Sequence, residues 1–201
     1  MIKAVLFDLG RVLVSFDFNI GYRELERQTG IPASDIPARI AETGLQSQLE
    51  TGQTSPHGFY GRIADALDLQ IPFEDFEEIW CSIFLPGTLI PEPFIADLAK
   101  THRLVLVSNT DPMHFEALCR TQPILRHFER RILSFEVGSS KPDAAIFQAA
   151  VAAAGCAPEE CFYTDDIAEY VAAARSLGID AVQFQSADQL AEELRARSVI
   201  A

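Results

Sequence analysis

Apolar positions along the chain fall into two patterns. Short apolar runs bounded by polar or turn residues occupy 3–8, 103–108, 131–135, 161–165 and 180–184. Runs of that length without polar alternation predict strands buried on both faces, as in a parallel sheet. Between the later runs the apolar positions take the spacing of a helix, over 113–120, 144–154 and 168–177, and Gly155 and Gly178 close the last two. A final helix opens on Ser186-Ala187-Asp188-Gln189, a capping-box sequence, and sets Leu190 and Leu194 on one face.

Strand, helix and strand in repetition predict an α/β fold, a three-layer, doubly wound parallel sheet with helices on both faces and right-handed crossovers. Such sheets take ligands at the carboxyl ends of their strands. The first crossover breaks the pattern, because the stretch from Asp8 to Leu104 far exceeds the roughly thirty residues of a whole strand-helix-strand unit. Helical patterns fill that gap at 20–28, 33–42, 56–67 and 73–84, broken by Gly30-Ile31-Pro32, Thr51-Gly52 and Leu85-Pro86-Gly87. A further helix at 94–100 belongs with the sheet. The expected organisation is a core of residues 1–15 and 88–201 with an all-helical subdomain, 16–87, inserted into it.

Composition narrows the function classes. With 48% hydrophobic and 22% charged residues the chain can bury a core without crosslinks. Cys81, Cys119, Cys156 and Cys161 form no CxxC pair and have no histidine cluster beside them, so they read as reduced, mostly buried thiols. The apolar run before Asp8 is too short for a leader or a membrane span, which points to the cytoplasm. A formal net charge of −13 repels polyanions, so nucleic acid and anionic membranes are disfavoured as partners. An anionic substrate needs a local positive site.

Four places at predicted strand ends carry residues suited to such a site. Asp8 closes the first strand beside Gly10, where a carboxylate can approach a ligand, although an aspartate there also serves as a turn or cap. Ser108-Asn109-Thr110 closes the second and can hold phosphate oxygens, or cap the helix after Asp111-Pro112. Lys141, in Gly138-Ser139-Ser140-Lys141-Pro142-Asp143, offers a compact positive charge ahead of a helix. Asp165-Asp166 closes the fourth strand; adjacent carboxylates repel unless a cation intervenes, and hard oxygen donors suit magnesium, while a single Asp there would cap the helix. Together they form a more specific signal than any one alone. Three carboxylates facing a phosphate dianion require both a divalent cation and Lys141 to balance the charge.

At these residues the sequence resembles the haloacid dehalogenase superfamily over nearly its whole length. Phe7-Asp8-Leu9-Gly10-Arg11-Val12-Leu13-Val14, Val107-Ser108-Asn109-Thr110, residues 138–147 and Tyr163-Thr164-Asp165-Asp166 are similar to its four motifs, and the helical insert to its first cap type, subfamily IA. The resemblance implies a magnesium-dependent phosphatase acting on a small phosphorylated metabolite. It implies that Asp8 is the nucleophile and a Mg²⁺ ligand, with the Gly10 carbonyl and Asp166, assisted by Asp165, completing the coordination. Ser108, Asn109 and Lys141 would bind the phosphoryl group.

The sequence departs from the family pattern at Gly10, where phosphatases of this type usually carry a second Asp as acid and base. The Asp-Leu-Gly variant is similar to a branch that includes α-D-glucose-1-phosphatases, which suggests a sugar phosphate. Asp17, Asp111 and His114 lie nearby in sequence, and a lone histidine at 114 reads as a helix-surface or capping residue. Tyr170 stands where an Asn is common, which bears on the support of the acidic pair. Two alternatives follow: a phosphate-ester-binding protein without turnover, and a 2-haloacid dehalogenase, against which the metal-binding pair Asp165-Asp166 argues.

Overall fold

Every residue of strand β1 (Ala4–Phe7) is buried, because it lies at the centre of one parallel sheet with both faces covered. The computed structural model describes residues 1–201. The other strands are β2 (Arg103–Ser108), β3 (Arg130–Leu133), β4 (Cys161–Asp165) and β5 (Asp180–Gln183), in the order β3-β2-β1-β4-β5. The chain winds outward from β1 through β2 to β3, then crosses back to β4 on the other side. That reversal leaves a crevice at the carboxyl ends of β1, β2 and β4, where open α/β sheets hold ligands.

Helices cover both faces. On one side α6 (Glu92–Leu98), α7 (Pro112–Thr121) and α11 (Ala187–Ala196) pack Ile95, Leu98, Leu118, Leu190 and Leu194 against Val5, Phe7, Leu104 and Leu106. On the other, α9 (Ala144–Ala154) and α10 (Ala168–Ser176) pack Ile146, Phe147, Ala150, Val171 and Ala174 against Leu6, Val105 and Tyr163. The small alanine side chains of α9 and α10 let these helices lie close to the sheet. A fully buried Phe or Leu of these layers contributes about 1.5–3 kcal/mol.

Between β1 and α6 the chain forms a separate helical unit with its own core: α1 (Phe18–Thr29), α2 (Ile36–Thr43), α3 (Leu45–Glu50), α4 (Pro56–Leu67) and α5 (Phe73–Cys81). Leu25, Ile40, Leu49, Phe59, Ile63, Phe76 and Trp80 meet inside it, joined by Met113 from α7. The two chain segments that enter and leave this unit pair with each other. The Asp17 N–H donates to the Ile83 carbonyl at 2.8 Å, the Leu85 N–H donates to the Ser15 carbonyl at 2.9 Å, and Phe16 bridges Phe84 antiparallel.

That pairing explains one departure from the sequence pattern. The helix expected over 73–84 stops at Cys81, because residues 83–85 are drawn into extended pairing with 15–17. A second departure is α3, which carries a single apolar pair, Leu45 and Leu49, too short to register as a period. A third is at the sheet edge: Arg130 and Arg131 of β3 are exposed, so this strand is not buried on both faces, and Ser134–Val137 turns into the short helix α8 instead of continuing it. The capping box of α11 is half formed, with Ser186 Oγ accepting from the Gln189 N–H at 3.1 Å while the Gln189 side chain turns to the Gln185 N–H. Among the cysteines only Cys161 is buried, since Cys119 sits on the outer face of α7 and Cys81 and Cys156 are partly exposed.

Candidate active site

Asp8 is the first residue beyond β1, and its N–H continues the ladder to β4 by donating to the Thr164 carbonyl at 3.0 Å. Its side chain therefore emerges between the ends of the central strands. Lys141 reaches it from the loop between α8 and α9: Nζ lies 2.5 Å from Asp8 Oδ1 and 2.7 Å from Asp165 Oδ2. Lys141 is 4% exposed, Asp8 7% and Asp165 not at all. An ammonium so buried needs carboxylate partners.

The strand ends fix this lysine from several directions. Asn109, just beyond β2, accepts from the Lys141 N–H through Oδ1 at 2.8 Å and donates to the Lys141 carbonyl through Nδ2 at 3.0 Å. Its amide is thus a brace for the lysine's own backbone. Tyr170 of α10 lies under the ammonium, 5.1 Å from ring centroid to Nζ, and its hydroxyl is 3.5 Å from Asn109 Nδ2. The substitution at position 170 supports the lysine rather than the acidic loop. Ser108 is buried at the end of β2, and the Ser134 hydroxyl pins the following turn by accepting from the Thr110 N–H and donating to the Thr110 carbonyl, each at 3.0 Å.

The acidic pair divides its work. Asp165 Oδ1 accepts from the Ile167 N–H at 2.8 Å, and Oδ2 accepts from both Lys141 and the Tyr163 hydroxyl. Asp166 is half-buried and has no such side-chain partners; its carbonyl accepts from Gln183 at 2.8 Å. One carboxylate oxygen from each of Asp8, Asp165 and Asp166 falls within a 4.8 Å cluster. Burial pushes the Asp8 carboxyl up to about 7, against the pull of the Lys141 ammonium, and the Asp165 carboxylate adds to the rise. Burial, with Asp165 beside it, also raises Asp166.

Three carboxylates against one ammonium leave an excess of negative charge; at an effective dielectric of about 20, two like charges 4 Å apart repel by about 4 kcal/mol. An all-oxygen donor set of this size and charge suits a hard divalent cation. The residues present therefore fit Mg²⁺, with Asp8 and Asp166 presenting the carboxylate oxygens least committed to protein donors.

At Gly10 the nearest neighbour is an aromatic ring. A Cβ at position 10 would stand 2.8 Å from Cε1 of Phe16, so a side chain there would require that ring to shift. The three nearby acid or base candidates are each committed elsewhere. Asp17 is the exposed N-cap of α1 and accepts from the Asn19 N–H at 3.0 Å. Asp111 caps α7 by accepting from the His114 N–H at 3.0 Å, and also accepts from Trp80 Nε1 at 3.2 Å.

His114 is buried, not on a helix surface. Its Nδ1 lies 2.7 Å from Asp111 Oδ2 and its Nε2 2.9 Å from the Trp80 carbonyl, with the Trp80 ring stacked on it. Both ring nitrogens face acceptors, an arrangement that favours the imidazolium over the neutral ring. Burial opposes that charge, yet the Asp111 carboxylate with its hydrogen bonds raises His114 above its ordinary 6.5. Burial likewise opposes the charge on Asp111, and His114 holds it below its ordinary 3.8. The pair ties α5 of the helical unit to α7 of the sheet layer.

By linkage, the contribution of His114 is complete below 6.5 and is lost as pH rises through its folded value, while that of Asp111 is complete above 3.8 and is lost as pH falls through its own. The expected result is that His114→Gln lowers stability by roughly 1–3 kcal/mol near pH 6. It should also remove the part of the alkaline loss due to this pair. Thermal midpoints of both proteins against pH check this.

Comparison with known proteins agrees with the geometry. Residues 2–178 match the family model described as haloacid dehalogenase-like hydrolase. The chain is 24% identical over 200 residues to a D-ribitol-5-phosphate phosphatase of Bacteroides thetaiotaomicron, covering 96% of this chain and 97% of that one. It is 28% identical over 186 residues to a phosphatase of Mycobacterium tuberculosis, covering 90% and 86%. A crystal structure of a haloacid dehalogenase-type enzyme of B. thetaiotaomicron in complex with magnesium and inorganic phosphate superposes with a TM-score of 0.81 at 26% identity, covering 92% of this chain and 96% of that one.

Proposed function

The chain belongs to the haloacid dehalogenase-like hydrolase family, and from that premise we propose that it is a magnesium-dependent phosphatase of small phosphate monoesters, working through a phosphorylated Asp8. The observation that carries this reading is the position of Lys141 Nζ, 2.5 Å from Asp8 and 2.7 Å from Asp165, beside Asp166 and the end of β2. Nucleophile, phosphate-binding cation and metal-binding oxygens share one crevice.

In this reading an Asp8 oxygen attacks phosphorus in line with the departing alcohol, and water then releases phosphate from the aspartyl ester. Lys141 and the Ser108 hydroxyl face the phosphoryl oxygens, and Asn109 acts mainly by holding Lys141 in place. Asp8, Asp166 and the Gly10 carbonyl, with Asp165 in support, would hold Mg²⁺, which would supply Lewis-acid charge neutralisation. Asp165 also keeps Lys141 charged and aimed: burial works against the ammonium, and Asp8 and Asp165 together raise its pKa despite that.

The helical unit, 16–87, serves as a cap over the crevice of a core made of 1–15 and 88–201. A sugar or polyol phosphate is the substrate class this reading favours, supported by the phosphatase of B. thetaiotaomicron named for D-ribitol 5-phosphate and by the Asp8-Leu9-Gly10 motif. No helix is long and apolar enough to cross a membrane, and we place the enzyme in the cytoplasm. Gly10 favours a second reading, a binder of phosphate esters without turnover.

Phosphate release from a panel of sugar and polyol phosphates, with p-nitrophenyl phosphate as the generic ester, separates the two. Turnover should appear with magnesium and fall at least about 100-fold with a chelator. Ester binding by calorimetry without any turnover would leave only the second reading.

A further inference from the structure

A small cavity of about 80 Å³, shared by the two units, reaches Leu9 and Gly10, the residues that follow Asp8, and Ser108 and Asn109 at the end of β2. Gly10, Ser108 and Asn109 line it from the sheet side, and Phe16, Gln46 and Glu50 from the other. A leaving group bonded to a phosphoryl held at Ser108 and Lys141 would project into this cavity. Its titratable lining residues are Glu50 and His114. His114 has both ring nitrogens committed, to Asp111 and to the Trp80 carbonyl. Glu50 Oε1 accepts from Gln46 Nε2 at 3.0 Å, one turn back on α3, while Oε2 accepts no hydrogen bond.

We propose that Glu50, delivered by the helical unit, is the catalytic acid and base of this enzyme, in place of the carboxylate that position 10 lacks. This rests on the phosphatase reading. As the Asp8 oxygen bonds to phosphorus, the bond from phosphorus to the alkoxy oxygen breaks with its electron pair on that oxygen. The Glu50 proton moves to it, giving the free alcohol and a Glu50 carboxylate. In the second step water bonds to phosphorus, the bond between phosphorus and Asp8 breaks with its pair returning to Asp8, and the water proton passes to Glu50.

Two features of the fold suit Glu50 to this task. The end of α3 is anchored against the sheet unit: Gly52, at φ 68, lies so close to the Phe135 carbonyl that any side chain there would overlap it. Glu50 is therefore held over the crevice without relying on cap motion. Its surroundings also favour the acid form, since burial among Phe16, Phe18 and Phe84 raises its pKa, the Gln46 hydrogen bond opposes the rise, Asp111 adds to it and His114 opposes it.

The test uses Glu50→Gln, nearly isosteric, on two esters under single-turnover conditions with magnesium. Glycerol 2-phosphate has an alkoxide leaving group that needs a proton, and p-nitrophenyl phosphate has one that does not. The first-step rate should fall about 10²–10³-fold with the alkyl ester and less than about tenfold with the aryl ester. With the aryl ester in excess over enzyme, a stoichiometric burst of nitrophenolate should precede slow turnover, because water has lost its base.

Equal losses for both esters, or no loss, would overturn the assignment while leaving the phosphatase reading intact. Inactivity of the unmodified protein on every ester would sink both. Should Glu50→Gln fail to fold, the unmodified protein carries the test. The ratio of its first-step rates, glycerol 2-phosphate over p-nitrophenyl phosphate, should fall with rising pH as Glu50 ionises, because ionisation of Asp8 affects both rates alike; a ratio that does not change with pH would refute the proposal.

Discussion

Asp8→Asn should release phosphate at the rate of the buffer blank, a loss on the order of 10⁴-fold or more, since the attacking oxygen is the one group whose removal stops both steps. Intact-mass measurement of the quenched reaction should show no phosphorylated protein, whereas the unmodified enzyme carries the added phosphoryl mass. The same change should raise the thermal midpoint measured without magnesium at pH 8. The folded Asp8 carboxyl sits at about 7, above its ordinary 3.8, so its ionised form is disfavoured by the fold. The sign follows from linkage: a carboxyl raised on folding weakens the folded state as pH rises through 3.8 toward 7. An amide never takes on that charge. Equal activity in Asp8→Asn would remove the nucleophile from the mechanism.

Lys141→Met carries the second large effect and acts in the opposite direction on stability. Methionine fills similar space but leaves the carboxylates of Asp8 and Asp165, which meet Nζ at 2.5 and 2.7 Å, without a partner. Removing one member of a buried charge cluster costs about 3–5 kcal/mol, which for a chain of this size lowers the thermal midpoint by roughly 6–20 °C. Added magnesium should recover part of that loss, because a divalent cation bound at the same oxygens offsets the missing charge. Activity should fall about 10²–10³-fold even with magnesium saturating, as one fixed positive donor to the phosphoryl oxygens has gone. A midpoint unchanged without magnesium would show that the lysine is not buried between the two acids in solution.

The fold was largely legible because its strands and main helices satisfy local rules and tertiary rules at once. Within Arg103–Ser108 the buried stretch 104–107 is wholly apolar, and Ala144–Ala154 is bounded by the residues that end helices. Misreadings came where a tertiary partner overrode a local pattern. Residues 83–85 look helical until 15–17 are there to pair with, and α3 has too few residues to show a period yet carries Glu50.

The candidate site divides along the same line. Asp8, Ser108, Asn109, Lys141, Asp165 and Asp166 were visible as chemistry-bearing residues at predicted strand ends, and the sheet gathers them into one crevice. What the sequence could not show is which atom each side chain spends on its neighbours. Asn109 reads as a phosphate ligand but engages the backbone of Lys141; Tyr170 reads as a substitution but lies under the ammonium. His114 and Asp111 read as possible acids but neutralise each other beneath Trp80.

Sequence alone determined the α/β class, the inserted helices, the crevice residues and the need for a cation, because each follows from period, order along the chain or net charge. Only the tertiary structure decided what stands beside position 10. The Phe16 ring lies there, and the carboxyl that shares the cavity comes from Glu50, far from Asp8 in the chain. Contact between two separately folded units depends on shapes and distances, and no local pattern of residues records it.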